Sequence, residues 1–163
     1  MTNFYSFQGT VTTIRDFPQN GEGCYKFITL ENNAGAVVNF IASPSTYFVD
    51  HSMLAVGDVV TGYYNGDAPA ILIYPPQYAA LVMVKENRNQ NVKVSYFNEQ
   101  LISNDGQLQL NLSPYTPLLL TNGQAFTSNL ANRDLIVVYG PATKSIPAQT
   151  VPYKVIVLCL QQN

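Results

Sequence analysis

At 163 residues the chain can bury a substantial core, as one domain or two very small ones, and its formal net charge is only −2. Charged residues make up 11% of it, well below the roughly 25% of an ordinary soluble domain, while 16 Asn and 11 Gln carry the polarity. Eight Lys and Arg spread against ten acids exclude the basic field that draws in nucleic acid, and so weak a net charge leaves little repulsion between copies of the chain.

The first stretch, MTNFYSFQGTVTTIRDF, has no basic start followed by an apolar run. A cytoplasmic location as synthesised is therefore expected. Within it, Phe7–Ile14 reads as a strand. Cys24–Glu31 alternates, with Cys24, Lys26, Ile28 and Leu30 opposite Tyr25, Phe27, Thr29 and Glu31, which predicts a strand with one face inward and one toward water. Asn32-Asn33-Ala34-Gly35 supplies the turn that follows.

Asp50-His51-Ser52 holds the residue types of a hydrolase triad, but neighbours on an extended chain point to alternate faces and cannot relay a proton. A surface turn is the expectation there. Asp58, Asp67, Asp105 and Asp134 each stand beside a glycine, a turn or a strand start, where carboxylates accept turn N–H groups. Gly21-Glu22-Gly23 lacks the later glycine and helix of a phosphate-cradling loop. Cys24 and Cys159 are too few and too far apart for a zinc site or a redox pair and read as half-buried strand thiols. No catalytic residue, metal site or cofactor is expected.

Further on, Ala70–Met83 (AILIYPPQYAALVM) sets a double proline between two runs that read as buried strands. No run of about 18 apolar residues occurs, so no membrane span is expected. Gln107–Leu112 alternates without exception, whereas Leu135–Tyr139 and Val155–Leu160 are continuous apolar runs, as in strands covered on both faces or covered by a neighbouring copy. Asn65-Gly66, Asn104-Asp105-Gly106 and Asn122-Gly123 supply turns. No helical period is sustained over three turns.

The two halves share an order of features. Ser43-Pro44-Ser45-Thr46, Leu54, Gly57-Asp58, Val59-Val60, Tyr63, Pro76 and Tyr78 recur as Ser113-Pro114-Tyr115-Thr116, Leu130, Arg133-Asp134, Leu135-Ile136, Tyr139, Pro152 and Tyr153. The prolines then mark the entry to each copy's last strand. The expected fold is all-β: two tandem antiparallel OB-like, β-barrel units related by an internal repeat, residues 4–86 and 92–160, with a polar linker over 85–91. On this reading the second copy lacks a counterpart of Phe7–Ile14, which leaves an edge to be covered.

Phe7–Ile14 followed by a strand pair and then Leu54–Gly62, with its L-x-x-G-D-x-V spacing, resembles the opening and a late strand of small OB-like barrels. Val38-Asn39-Phe40 with Ser43–Asp50 (SPSTYFVD) and Leu72–Tyr78 (LIYPPQY) resembles a group of uncharacterised bacterial proteins of about this size, over most of residues 4 to 160. That second resemblance implies a shared fold only, and brings no activity or site residues to carry over.

Two functions follow as expectations. One is a non-enzymatic structural or interaction protein that self-associates into a homo-oligomer or filament through β edges and tyrosine- and amide-rich faces, with Cys24 and Cys159 as an intersubunit crosslink. The other is an OB-like module binding a single-stranded nucleic acid or a glycan across a face formed by Tyr25, Phe27 and Tyr63.

Overall fold

The structure, a computed structural model, describes residues 1–17 and 22–160; Gly21 of the Gly21-Glu22-Gly23 stretch lies outside them. Thirteen strands and one 3-10 turn, Val49–His51, make up the regular structure among the described residues. The chain divides into two compact units, one of Phe4–Glu86 and one of Met1–Asn3 with Asn87–Asn163.

In the first unit, β1 (Phe4–Asp16) is long enough to serve two partners. Its first half pairs antiparallel with β5 (Val59–Asn65), from Phe4 opposite Asn65 to Thr10 opposite Val59. Its second half pairs with β2 (Lys26–Glu31), from Thr10 opposite Glu31 to Asp16 opposite Lys26, through a bulge between Val11 and Thr13. An extra residue changes which side chains face inward, so Val11 before the bulge and Ile14 after it reach the same core. The order of the sheet is β4 (Tyr47–Phe48), β7 (Val82–Lys85), β5, β1, β2, β3 (Val37–Ala42), β6 (Gln77–Ala79).

The inward side chains of β2 and β3 (Ile28, Leu30, Val38, Phe40, Ala42) meet Val11, Val60 and Met83 in one cluster. Phe40 lies over Gly62 so closely that a Cβ there would stand 2.6 Å from its ring. Only a glycine fits beneath that ring.

The second unit carries β10 (Leu118–Leu120), β13 (Lys154–Val157), β11 (Arg133–Tyr139) and β8 (Asn91–Phe97), in that order, and a separate pair of β12 (Ala148–Thr150) with β9 (Leu108–Leu110). Phe97, Leu108, Leu110, Leu130, Leu135, Val137, Val155 and Val157 form its core. The continuous runs read from the sequence are mostly buried on both faces: Leu135, Ile136, Val137, Val138, Val155, Ile156 and Val157 are each at most 1% exposed, whereas Tyr139 and Leu160 are half-buried and Cys159 is exposed. A neighbouring copy is not needed to cover them.

The all-β expectation holds, and three finer ones need correction. The sheets are mixed, because β3–β6, β4–β7, β10–β13 and β9–β12 run parallel, and none is closed by hydrogen bonds into a barrel. Each parallel pair joins strands with other strands between them in the sequence, which a tight hairpin cannot do.

Secondly, the second unit opens on a paired strand: β8 runs antiparallel to β11, from Asn91 opposite Tyr139 to Phe97 opposite Arg133. From the end of β8 onward come the isolated bridges Phe97–Ser103 and Ile102–Gln109.

Thirdly, Ala70–Tyr74 is not a buried strand. It belongs to the connection between β5 and β6, and its large side chains are exposed. Pro152 does lead into the last strand of its unit, β13, but Pro76 leads into β6 and not into β7, the last strand of the first unit; Pro147 likewise precedes β12. The peptide bonds Tyr74–Pro75 and Ile146–Pro147 are both cis.

Candidate functional site

The aromatic face expected from Tyr25, Phe27 and Tyr63 is not one surface. Phe27 lies opposite Arg15 on β1, and Tyr63 lies opposite Ser6, nine residues away along the same strand. At about 3.3 Å per residue that is up to about 30 Å of extended chain. Phe27 is moreover already occupied: it stacks on Phe17 at 5.9 Å and 5°, the Arg15 guanidinium sits 4.6 Å from its ring centre, and the residue is 4% exposed. Tyr25 is half-buried just before β2, and Tyr63 is half-buried on β5. A ring sandwiched as Phe27 is offers no free π-face to a base or a sugar.

The closest aromatic grouping lies elsewhere. Tyr64 and Tyr78 stack with centroids 3.8 Å apart and planes at 5°, Tyr5 meets Tyr64 edge-on at 6.0 Å, and Phe40 tilts against both Tyr64 and Tyr78. Strand pairing explains it: Tyr5 is directly opposite Tyr64, and Tyr78 is directly opposite Phe40. Burial, then the hydroxyl of Tyr78 and the charges that Tyr78 and Tyr5 would carry, push the Tyr64 phenol up to about 12. In the second unit Tyr139 packs on the core as Tyr64 does in the first, and burial, then Asp105, raises its phenol also. The order of features in the sequence matches Tyr63 with Tyr139, but on β5 it is the neighbouring Tyr64 that packs on the core.

An apolar cleft of about 340 Å³ opens in the first unit between the end of β1, the start of β2 and the chain after β4. Ile14, Ile28, Phe48, Met53 and Leu54 line it, with Lys26, His51 and Ser52 as its polar groups. Its size suits a small molecule. Lys26 is paired with Asp16, and His51 meets Tyr47 edge-on at 6.0 Å. The Asp50-His51-Ser52 stretch is a turn, as expected, but it is not extended: Asp50 and His51 both have positive φ, 60° and 51°, in the 3-10 turn.

Asp58 and Asp105 act in turns, whereas Asp134, inside β11, is bonded to a residue far away in the sequence and not to a turn. Asp58 accepts the N–H of Ala55 at 2.8 Å and pairs with Lys85 at 3.5 Å. The Asp134 carboxylate accepts the N–H of Thr2 at 3.2 Å. Asp105 is bonded to Lys93, to the Ser103 hydroxyl and to the Gln107 N–H. Partial burial alone would raise its pKa, but the bonds from Lys93, Ser103 and Gln107 outweigh that and hold it below the ordinary value. Among the described residues no group of three or more His, Cys, Asp or Glu side chains is placed to hold a metal ion, and no helix is long and apolar enough to cross a membrane.

Both cysteines are exposed, which corrects the reading of them as half-buried strand thiols. Cys24 lies before β2 and Cys159 beyond β13, so neither has a strand face to be buried on. The feature that sequence reasoning misses is the exposure of Ile71, Leu72, Ile73 and Tyr74. A signal for it exists in Pro69 and Pro75-Pro76, which bracket the run with residues that cannot donate to a sheet ladder.

No protein-family model matches the chain, and no curated protein matches it significantly.

Proposed function

We propose that this chain is a non-enzymatic structural or interaction protein that associates with itself. The observation that carries the reading is the open ends of its sheets: β4 and β6 terminate one and β8 another, while β10, at the far end from β8, is bridged at Leu119 to Ala125. Terminal strands present unpaired N–H and C=O groups, and the usual protection by edge charge is thin in a chain with 11% charged residues. Tyrosine and amide side chains on such faces bond to a partner with little charge to desolvate. Sedimentation across a concentration series tests the reading: the expected result is a mass that rises above one chain, and a monomer at every concentration would overturn it.

We also infer that the two units are tandem OB-like copies of one motif. The support is their shared order, with β4-β7-β5-β1 in the first matching β10-β13-β11-β8 in the second, and β3-β6 matching β9-β12. The same turn stands before β4 and β10. In one, Ser43 N–H donates to the Thr46 hydroxyl at 2.9 Å and Thr46 N–H to the Ser43 carbonyl at 3.0 Å. In the other, Ser113 and Thr116 repeat both bonds at 3.1 Å.

OB-like units favour a second function, the binding of a single strand or a glycan. With the Phe27 face filled and few cations to displace counterions, single-stranded DNA is expected to bind more weakly than about micromolar at about 0.15 M salt. Fluorescence anisotropy with a labelled oligonucleotide and an oligosaccharide array separate the two functions. Tight binding of either ligand by a monomer would favour the module.

A further inference from the structure

The segment Ile71-Leu72-Ile73-Tyr74 is 70%, 98%, 44% and 78% exposed. Other exposed large apolar residues, such as Met53, Val56, Leu112 and Ile146, stand singly in the sequence and need no explanation. A contiguous run of four does need one. At the usual 150–250 Å² of a large side chain, the four leave on the order of 600 Å² of surface uncovered.

The backbone there is also poorly used. Between residues 69 and 75, the backbone bond made within the described residues is the short one from Ile73 N–H to the Ile71 carbonyl, at 2.9 Å. Pro69 and Pro75 lack N–H groups and limit any pairing to Ala70–Tyr74.

We propose that Ile71-Leu72-Ile73-Tyr74 is a self-association surface in addition to the open sheet ends and that its occupant is the same segment of a second copy, packed about a twofold axis. The proposal rests on the self-association reading above and adds to it a surface outside the strands. Area permits it: a symmetric contact that covers all four residues removes at most on the order of 1,200 Å² in total, the low end of specific interfaces. Charge supports it too. No charged residue occurs between Asp67 and Lys85, so two copies bring no like charges together. The same gap argues against a lipid surface, since interfacial segments use Lys and Arg beside their apolar face.

Symmetry completes the argument. The Ile73 N–H bond to the Ile71 carbonyl closes a turn about Leu72, so the contact is one of side chains: with the axis at Leu72, Leu72 meets Leu72 and Ile71 meets Ile73 of the second copy. Self-complementarity of this kind is what a twofold contact requires.

The test compares the full chain with Leu72→Asp and with Ile71→Asp/Leu72→Asp by sedimentation over a concentration series, with circular dichroism to check the fold. The expected result is association by the wild type and at least a hundredfold weaker association by both variants. If wild type and variants associate equally, self-association stands and this surface for it is overturned. A monomeric wild type overturns both. Leu72→Cys, made with Cys24→Ser and Cys159→Ser, is expected to give a disulfide-linked dimer under mild oxidation; its absence in a wild type that dimerises overturns the twofold. Co-sedimentation of the wild type with phosphatidylcholine vesicles, lost in Leu72→Asp, would assign the segment to a lipid surface instead and overturn the proposal.

Discussion

Gly62 and Phe40 show how one side chain dictates another. Placing a methyl group at residue 62 drives it to within 2.6 Å of the Phe40 ring, and Phe40 is fully buried among Val11, Val60 and Met83, with nowhere to go. Gly62→Ala is expected to cost about 1–3 kcal/mol, the usual cost of overpacking a core. Urea unfolding measures it, and a variant within experimental error of the wild type would show that the ring can shift. The stacked tyrosines give a second prediction at this scale. The Tyr64 phenol titrates near 12 when folded, against 10.0 as an ordinary tyrosine. The folded chain therefore holds that proton more tightly than the unfolded chain. Its contribution to stability is complete below pH 10 and lost as the pH rises from about 10 to 12. Absorbance titration should resolve a late phenolate step that disappears in Tyr64→Phe.

At the scale of elements, the turns before β4 and β10 differ in a bond between the Ser43 and Ser45 hydroxyls, present in the first alone, and in what the threonine hydroxyl reaches. The Thr46 hydroxyl accepts from Ser43 and also donates to the Ala80 carbonyl at 2.7 Å, tying the turn to the chain between β6 and β7. The Thr116 hydroxyl accepts from Ser113 at 3.1 Å. Replacing a half-buried hydroxyl by a methyl group costs about 1–2 kcal/mol where it leaves partners unpaired. Thr46→Val is thus expected to lower the melting temperature more than Thr116→Val; equal effects would refute the difference. Both Ser-Pro-x-Thr turns are legible in the sequence, as are the alternating Leu108 and Leu110 and the doubly buried β11. Ala70–Tyr74 is not, because a short apolar run carries the same pattern whether a sheet covers it or solvent does. Parallel pairing is hidden too. Periodicity says which residues face inward and nothing about which strand lies alongside.

For the whole molecule, the dispersed aromatic face and the exposed thiols have one origin. Tyr25, Phe27 and Tyr63 are alike in chemistry but are spread alongside a 13-residue strand, β1, whose pairing carries them to different ends. Cys24 and Cys159 lie outside strands for a related reason: strand limits cannot be read to the residue. Both thiols are exposed in the folded chain, so an Ellman titration without denaturant should count two reactive groups per chain. One or none would show that folding or association covers them. Non-reducing electrophoresis after oxidation then tests the crosslink: a ladder of oligomers is the outcome expected of Cys24 joining Cys159 between copies.

The parallel pairs impose an order in time. Asn39 lies opposite Gln77, and Gln109 lies opposite Gln149, so β3 and β9 must each wait for a partner that follows by some forty residues. During synthesis from the N-terminus at about 5–20 residues per second, β3 leaves the ribosome seconds before β6 exists to pair with it. The hairpins of β1 with β2 and of β2 with β3 can form at once, since their partners are already made. Each unit thus passes through an interval in which an apolar strand has one side unclaimed, and the sparse charge of the chain does little to shield it from a neighbouring nascent chain.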